Sequence, residues 1–389
     1  MSDQCGWPYF SEDEVEAVAA TLRSGRVNYW TGELCHEFEQ AFAAYCGVKY
    51  AIALANGTVA LELALRALGI GSGDEVIVPA RTFIATASAV VMCGATPIVV
   101  DVDRQTQGIS SATLQGAITK RTRAVIVVHL GGWPCDMDAI LSLSRHHGLK
   151  VIEDCAQAHG AEYGGRRVGS FGDAAAFSFC QDKIMSTGGE GGMLLLREDA
   201  VWRRAWAFKD HGKNYDAVFH QGHPPGHRWL HHSFGTNWRM TEMQAAIGCR
   251  QLVKLPEWVG SRRLNAAILQ ERLSGLSGLR VPTPSGLVRP AYYRFYAFVV
   301  PEALRKGWSR DLIVEKINGR GVSCFQGSCG EIYRERAFAN AGLQPRWRLP
   351  VAKELHEQSL AFLVHPTLSL DEIERTAQTT AQVMSEAAS

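Results

Sequence analysis

The chain has 389 residues, 46% hydrophobic and 20% charged, with a formal net charge of +1. This composition describes a globular protein long enough for two domains and excludes a disordered chain. The near-zero charge removes any general attraction to nucleic acid or to an anionic membrane, so neither is expected as a partner and any anion must be bound locally.

The ten cysteines are scattered, with no CxxC pair and no ligand-spaced His/Cys cluster, which points to reduced thiols and no metal site. The opening stretch MSDQCGWPYFSEDEVE is acidic and amphipathic where a secretion signal is basic and then apolar. The longest apolar run, 84–100, is split by Cys-Gly-Ala-Thr-Pro, which argues against a membrane span. A cytoplasmic protein is expected.

In chain order, Ser11 with Glu14 makes a capping box, opening a helix through Val15, Val18 and Leu22 that stops at Gly25. A second helix carries Leu34, Phe38 and Phe42 one turn apart. Short apolar runs then recur at 50–55, 75–79, 97–102, 124–130, 150–154, 174–179 and 192–196, several separated by helical segments such as 137–147. Continuous apolar strands alternating with helices predict an α/β fold with a mainly parallel, seven-stranded sheet covered by helices on both faces. Beyond about residue 255 come a long helix around 262–273, an alternating strand at 292–300, a polar loop at 323–330 and a final helix from Asp371. The expected division is a large domain at 1–255 and a smaller α+β domain at 256–389.

Ligands of such sheets lie outside the carboxyl ends of the strands. One strand ends at Asn56-Gly57-Thr58 and feeds a helix expected to begin near Val59. Helix-terminal amides, a glycine and a threonine hydroxyl there suit a phosphate, although a plain strand-to-helix turn with Thr58 as its cap is the commoner use of such a stretch. In VIEDCAQAHG, Asp154 closes an apolar strand, a costly position unless the carboxylate caps a turn, binds a metal or meets a cation. No second carboxylate follows it, which weakens the metal reading.

In FSFCQDKIMSTGGEGGMLLL, Ser178 ends a strand and Lys183 precedes a glycine run at 188–192. A surface lysine explains this stretch, and so does a dry, nucleophilic amine. Together the three segments supply an amine, a carboxylate and a phosphate seat, the set that pyridoxal 5′-phosphate requires.

At this point the chain resembles the DegT/StrS-type sugar aminotransferases, pyridoxal-phosphate enzymes of the aspartate aminotransferase fold (fold type I). Six blocks stand in family order: SGRVNYWTGELCHEFEQAFAAYCGVKYAIALANGTVALELAL, VPARTFIATASAV, VHLGGWPCDMDAI, VIEDCAQAHGA, FGDAAAFSFCQDKIMSTGGEGGMLL and FGTNWRMTEMQAAIGCRQL. The resemblance implies that Lys183 condenses with the cofactor aldehyde, Asp154 partners the pyridine nitrogen, Gln157 contacts the 3-oxygen and Phe83 stacks on the ring. It implies that Gly57, Thr58 and Ser178 hold the phosphate, and that Asn237 reaches the phosphate of a neighbouring subunit, which calls for a homodimer with shared active sites.

The implied reaction moves an amino group from glutamate or glutamine to a keto sugar, foremost a nucleotide-linked 4-keto or 3-keto 6-deoxyhexose. Cyclitol ketones are the alternative, and a non-catalytic regulator of the same fold is a more distant one. One family branch carries histidine in place of the lysine and dehydrates sugars; Lys183 argues against it. Trp30, Arg228, His231, Arg239 and Gln326 are candidate substrate contacts. The segment 323–329 departs from the tyrosine- and histidine-containing loop expected there, which leaves the sugar open.

Overall fold

The computed structural model describes residues 6–388. Its central sheet comprises β1 (Tyr50–Leu54), β2 (Glu75–Pro79), β3 (Thr96–Val100), β4 (Thr122–Val128), β5 (Lys150–Asp154), β6 (Ala174–Ser178) and β7 (Gly192–Leu196). The spatial order is β1-β7-β6-β5-β4-β2-β3. Only β7 runs against its neighbours; the other pairings are parallel. The seven expected strands are all present, with ends shifted by up to two residues.

The two-residue period of a strand divides the core into layers. Ile52, Leu54, Ile152, Ala176 and Leu194 face one side, against α3 (Gly57–Ala67), α4 (Ala85–Met92) and α6 (Asp199–Lys209). Ala51, Ala53, Phe177, Met193 and Leu195 face the other, against α2 (Leu34–Cys46) and the first part of α7 (Glu242–Leu273). On that same face α5 (Met137–His147) covers Val125, Val127 and Val151.

Helix α7 is continuous over 32 residues and contains Pro256, so the expected boundary at 255/256 falls inside it. Its first part, with Ala245, Leu252, Leu255 and Val259, packs on the large sheet. Its last turns, with Ala266, Leu269 and Leu273, pack on a second, four-stranded antiparallel sheet built around β8 (Phe295–Val299) and β9 (Ser359–Phe362). The final helix, α8 (Leu370–Ala387), covers that sheet with Ile373, Val383 and Met384.

Helix α1 (Glu12–Ser24) has the capping box the sequence indicated and ends at Gly25 in the left-handed conformation, φ 68°. Its packing face differs from the expected one. Val15 and Leu22 are exposed, while Glu14 and Thr21 are buried. Lys254 of α7 explains the inversion, because its ammonium meets both Asp13 and Glu14, at 2.6 and 2.7 Å.

Helix α2 has no side-chain cap of its own. Its free amides are satisfied from α7: the buried carboxylate of Glu242 accepts from the N–H groups of Leu34 (2.7 Å) and Cys35 (3.1 Å). A negative charge at a helix N-terminus is favourable, and removing it leaves buried donors unpaired. Glu242→Ala is expected to lower stability by about 2–4 kcal/mol, and Glu242→Gln by less, as read from urea unfolding midpoints. Equal midpoints for wild type and Glu242→Ala would refute this reading.

Candidate active site

A cleft of about 840 Å³ opens at the carboxyl ends of β1, β5 and β6 and is closed from the second sheet by Tyr293, Arg294, Tyr296 and Phe325. Its base is the turn after β1. Helix α3 starts at Gly57, two residues earlier than expected, because Asn56 is the N-cap and its side-chain oxygen accepts from Val59 N–H at 3.0 Å. With Asn56 as cap, Gly57 and Thr58 are the first two helical residues, and their amides have no intrahelical partner.

Glycine at 57 is a matter of space. A Cβ there would stand 2.7 Å from Cβ of Ser178, so only glycine lets the β1 turn and the end of β6 meet. The Ser178 hydroxyl keeps one weak local bond, accepting from Cys180 N–H at 3.4 Å. Two amides and two hydroxyls around a helix N-terminus form a seat for a phosphate.

Asp154, at the end of β5, is buried in the cleft wall. Oδ2 accepts from the Thr86 hydroxyl at 2.9 Å and Oδ1 from Ala156 N–H at 3.2 Å. Thr82 in turn bonds Thr86, hydroxyl to hydroxyl at 2.9 Å. Burial pushes the Asp154 carboxyl above its usual range, and the bonds from Ala156 and Thr86 offset only part of that. A carboxylate in this state gains most from a cation placed beside it.

Gln157 lines the cleft with its orientation fixed, because its Oε1 accepts from Gly131 N–H at 2.7 Å and the amide nitrogen is left as the free donor. The Phe83 ring, 65% exposed, offers an apolar face in the cleft wall. Lys183 lies inside, its side chain 17% exposed, with Nζ 3.0 Å from Oδ1 of Asp182 and 5.3 Å from the centre of the Tyr293 ring. Tyr293 donates its hydroxyl to Asp182. Burial pushes the Asp182 carboxyl up, but the Lys183 charge and the Tyr293 hydroxyl outweigh it and hold the group below its usual range.

The chemistry of this donor set fits a phosphorylated pyridine aldehyde: an amine for the aldehyde, a buried carboxylate for a ring nitrogen, an amide donor for a ring oxygen, an exposed aromatic face and a phosphate seat. The family description DegT/DnrJ/EryC1/StrS aminotransferase matches residues 8–380. The chain belongs to this family.

This aminotransferase is 43% identical over 291 residues to GDP-perosamine synthase of Caulobacter vibrioides, covering 75% of each chain. It is 36% identical to the dTDP-3-amino-3,4,6-trideoxy-alpha-D-glucose transaminase of Streptomyces venezuelae, covering 90% of this chain and 87% of the relative. The crystal structure of an aminotransferase from Psychrobacter cryohalolentis superposes with a TM-score of 0.96 at 52% identity, covering 98% of each chain. Family membership implies pyridoxal phosphate as cofactor.

Of the residues singled out from the sequence, Gly57, Thr58, Phe83, Asp154, Gln157, Ser178 and Lys183 come together in this one cleft. The others do not line it within the single chain. Asn237 is exposed, and Arg228 and His231 lie on an exposed segment. Arg239 is committed to the buried Asp210 at 2.7 Å. Trp30 lines a separate cavity of about 480 Å³ beside Trp206 and Phe219. Gln326 turns its amide to Asp311 at 3.0 Å, while its neighbours Phe325 and Gly327 line the cleft.

Sequence reasoning missed Asn56, Thr86, Asp182, Tyr293 and Arg294. Asn56 and Asp182 were legible as direct neighbours of assigned residues; Tyr293 and Arg294 had no local signal. One group of possible metal donors, His129, Glu153 and Cys155, has its ligand atoms within 4.8 Å of one another among the described residues. Glu153 is already committed there, to His129 and to the amides of Gly169, Phe171 and Gly172.

Because Asp154 is raised above its ordinary 3.8, the folded cofactor-free protein holds this proton more tightly than the unfolded chain. Its contribution to stability therefore falls as pH rises from 3.8 through the folded value, and at neutral pH the bare carboxylate destabilises the fold. Cofactor-free Asp154→Asn is expected to melt higher than wild type at pH 7, with the difference shrinking to nothing as pH drops below 3.8. Thermal melts across pH measure this, and parallel curves would contradict it.

Proposed function

We propose that this protein uses pyridoxal phosphate to transfer an amino group from glutamate or glutamine to a nucleotide-linked keto hexose, a 3-keto or 4-keto 6-deoxyhexose, in the cytoplasm. The observation that carries the proposal is the single cleft in which shielded Lys183 shares a wall with buried Asp154 and the Gly57–Thr58 turn. The relatives named for a GDP-linked and a dTDP-linked sugar support the nucleotide-sugar class.

Thr58, Ser178 and the amides of Gly57 and Thr58 would hold the phosphate, and Phe83 would lie against the ring. When bound, the cofactor supplies an aldehyde that takes up nitrogen and a protonated ring that draws electrons from the adjoining carbon. Asp154 keeps the ring nitrogen protonated, and that contact relieves the desolvation which raises its own carboxyl. Gln157 presents its amide N–H to the ring oxygen, held in that sense by Gly131.

Lys183 serves twice, first as the amine that secures the cofactor and then as the base that moves a proton to and from the donor's α-carbon through Nζ. Asp182 and Tyr293 give that amine a resting place when it is released.

A homodimer with shared active sites belongs to the proposal. Asn237 would enter the partner's cleft from a segment that leaves Trp229 and Phe234 exposed, at 82% and 101%. The segments around Arg228 and His231 and around Gln326 would contact the nucleotide and the sugar. Arg239, held by Asp210, is proposed at the edge of that surface, and Trp30 in its separate cavity.

The cofactor-loaded enzyme should convert glutamate to 2-oxoglutarate in a single turnover, with the visible absorbance band of the loaded protein disappearing. It should then aminate a nucleotide-linked 3-keto or 4-keto 6-deoxyhexose. Lys183→Ala should lower the first step by about three orders of magnitude or more. A spectrum that stays unchanged with glutamate, glutamine and alanine sinks the proposal, and amination of free cyclitol ketones alone would move the substrate class.

A further inference from the structure

Lys183 stands on a stretch with no helix or strand of its own, between β6 and β7. Its side chain is a flexible four-carbon stem, so the point its amine reaches is set by where the backbone is held. The N–H of Lys183 is tied locally, to the Cys180 carbonyl at 3.0 Å. Its carbonyl is tied from a distant part of the chain: the indole N–H of Trp7, 176 residues earlier, donates to it at 2.6 Å. That is the one hydrogen bond this carbonyl receives among the described residues.

Trp7 is itself clamped by three side chains. The Trp258 ring of α7 meets it edge-on, with centroids 5.1 Å apart. The His365 ring, beyond β9, lies nearly parallel to it at 6.2 Å. The guanidinium of Arg262, also on α7, is 4.9 Å from the indole centre. Arg262 is 1% exposed and makes no ion pair among the described residues; its Nε has no hydrogen-bond partner, and a terminal nitrogen donates only to the Tyr292 carbonyl, at 3.4 Å. Burial, and then Arg294, push this guanidinium down to about 9. A cation so placed is costly, and the electron-rich indole face is the surface set against it. The face of Trp7 therefore takes the cation while its edge takes the carbonyl.

Helix α7 grips the same stretch a second time. The side-chain oxygen of Gln251 accepts from Ser186 N–H at 2.9 Å, and Ile184 and Met185 between the two grips are fully buried. Residues 183–186 are thus pinned at both ends, at Ser186 by Gln251 and at Lys183 by Trp7. Plain packing of the N-terminal segment on α7 would be served by any large apolar ring. It does not require an N–H, nor that the N–H meet the backbone of the lysine whose amine lies in the cleft.

Resting on the reading of Lys183 as the amine that secures the cofactor, we propose that Trp7 is a positioning residue for that lysine: its indole N–H holds the Lys183 carbonyl so that Nζ meets the cofactor, and then the donor's α-carbon, from one fixed direction. A displacement of about 1 Å at a reacting group can cost about 10²-fold in rate, so a single well-placed hydrogen bond to this backbone matters to the reaction more than to the fold.

Trp7→Phe keeps a ring against Arg262 and Trp258 and removes the donor. Benzothienylalanine at position 7, which keeps the two-ring shape without an N–H, separates the lost donor from lost packing. In both, single turnover of the cofactor-loaded enzyme is expected to slow about 10- to 100-fold at saturating glutamate, with the half-saturating concentration within about twofold of wild type. Two readouts need no turnover: cofactor-free protein should take up pyridoxal phosphate more slowly, and the visible circular dichroism of the loaded protein should change in amplitude. Wild-type rate, uptake and dichroism with benzothienylalanine at position 7 overturn the assignment, as does a loss seen only as a raised half-saturating concentration. If wild type loads pyridoxal phosphate yet leaves glutamate unchanged, the transamination falls, and uptake and dichroism still decide the role of Trp7.

Discussion

The site depends on one carboxylate held out of water at the end of an apolar strand. Residues 153 and 154 are adjacent acids on β5, and the two-residue period sends them to opposite faces of the sheet. Glu153 is fully satisfied. It accepts from the amides of Gly169, Phe171 and Gly172, each at 2.8 Å, and from Nε2 of His129 at 3.2 Å, while Cys135 N–H occupies the other ring nitrogen. Burial raises its carboxyl, but these bonds outweigh the burial and hold it below the usual range. Asp154, with Thr86 and Ala156 alone, stays raised. The same side-chain chemistry one residue apart gives a structural anchor and a group that still lacks its cation, and the difference is the number of donors the fold aims at each.

The second constraint is close approach. Strand β7 is inserted antiparallel between β1 and β6, and this carries the glycine run at 188–192 directly beneath the Asn56 turn. A Cβ at Gly192 would lie 2.3 Å from the Asn56 carbonyl oxygen, and one at Gly191 would lie 2.0 Å from Oγ1 of Thr187. With the Gly57–Ser178 contact, these clearances let three backbone segments meet below the phosphate seat. Gly191 and Gly192 are thus requirements of packing around the cleft, while Gly188 and Gly189 take left-handed backbone conformations, φ 87° and 121°.

The far wall belongs to the second sheet. Tyr293 and Arg294, just ahead of β8, bring an aromatic ring and a free guanidinium to a lysine 110 residues earlier in the chain. The α7 helix, packed on both sheets through opposite ends, sets the spacing between the two walls.

Much of this was legible in the sequence. Short, mainly apolar runs such as 174–179 and 192–196 suit interior strands, and an acid or an amine at the end of such a strand lies at the strand-end rim. Lys183, Asp154, Gly57, Thr58 and Ser178 followed from that, while the family resemblance assigned their roles and added Gln157 and Phe83. The sequence could not show that Asn56 rather than Thr58 caps α3, that Glu242 caps α2 from 208 residues away, or that α1 buries Glu14 in place of Val15 and Leu22. Nor could it show Arg294 facing the cleft without a counter-ion. Local pattern decides which segments are strands and helices, because burial and periodicity act over a few residues. Which polar groups find partners depends on segments that meet only when the chain has folded, and that was decided by the tertiary structure alone.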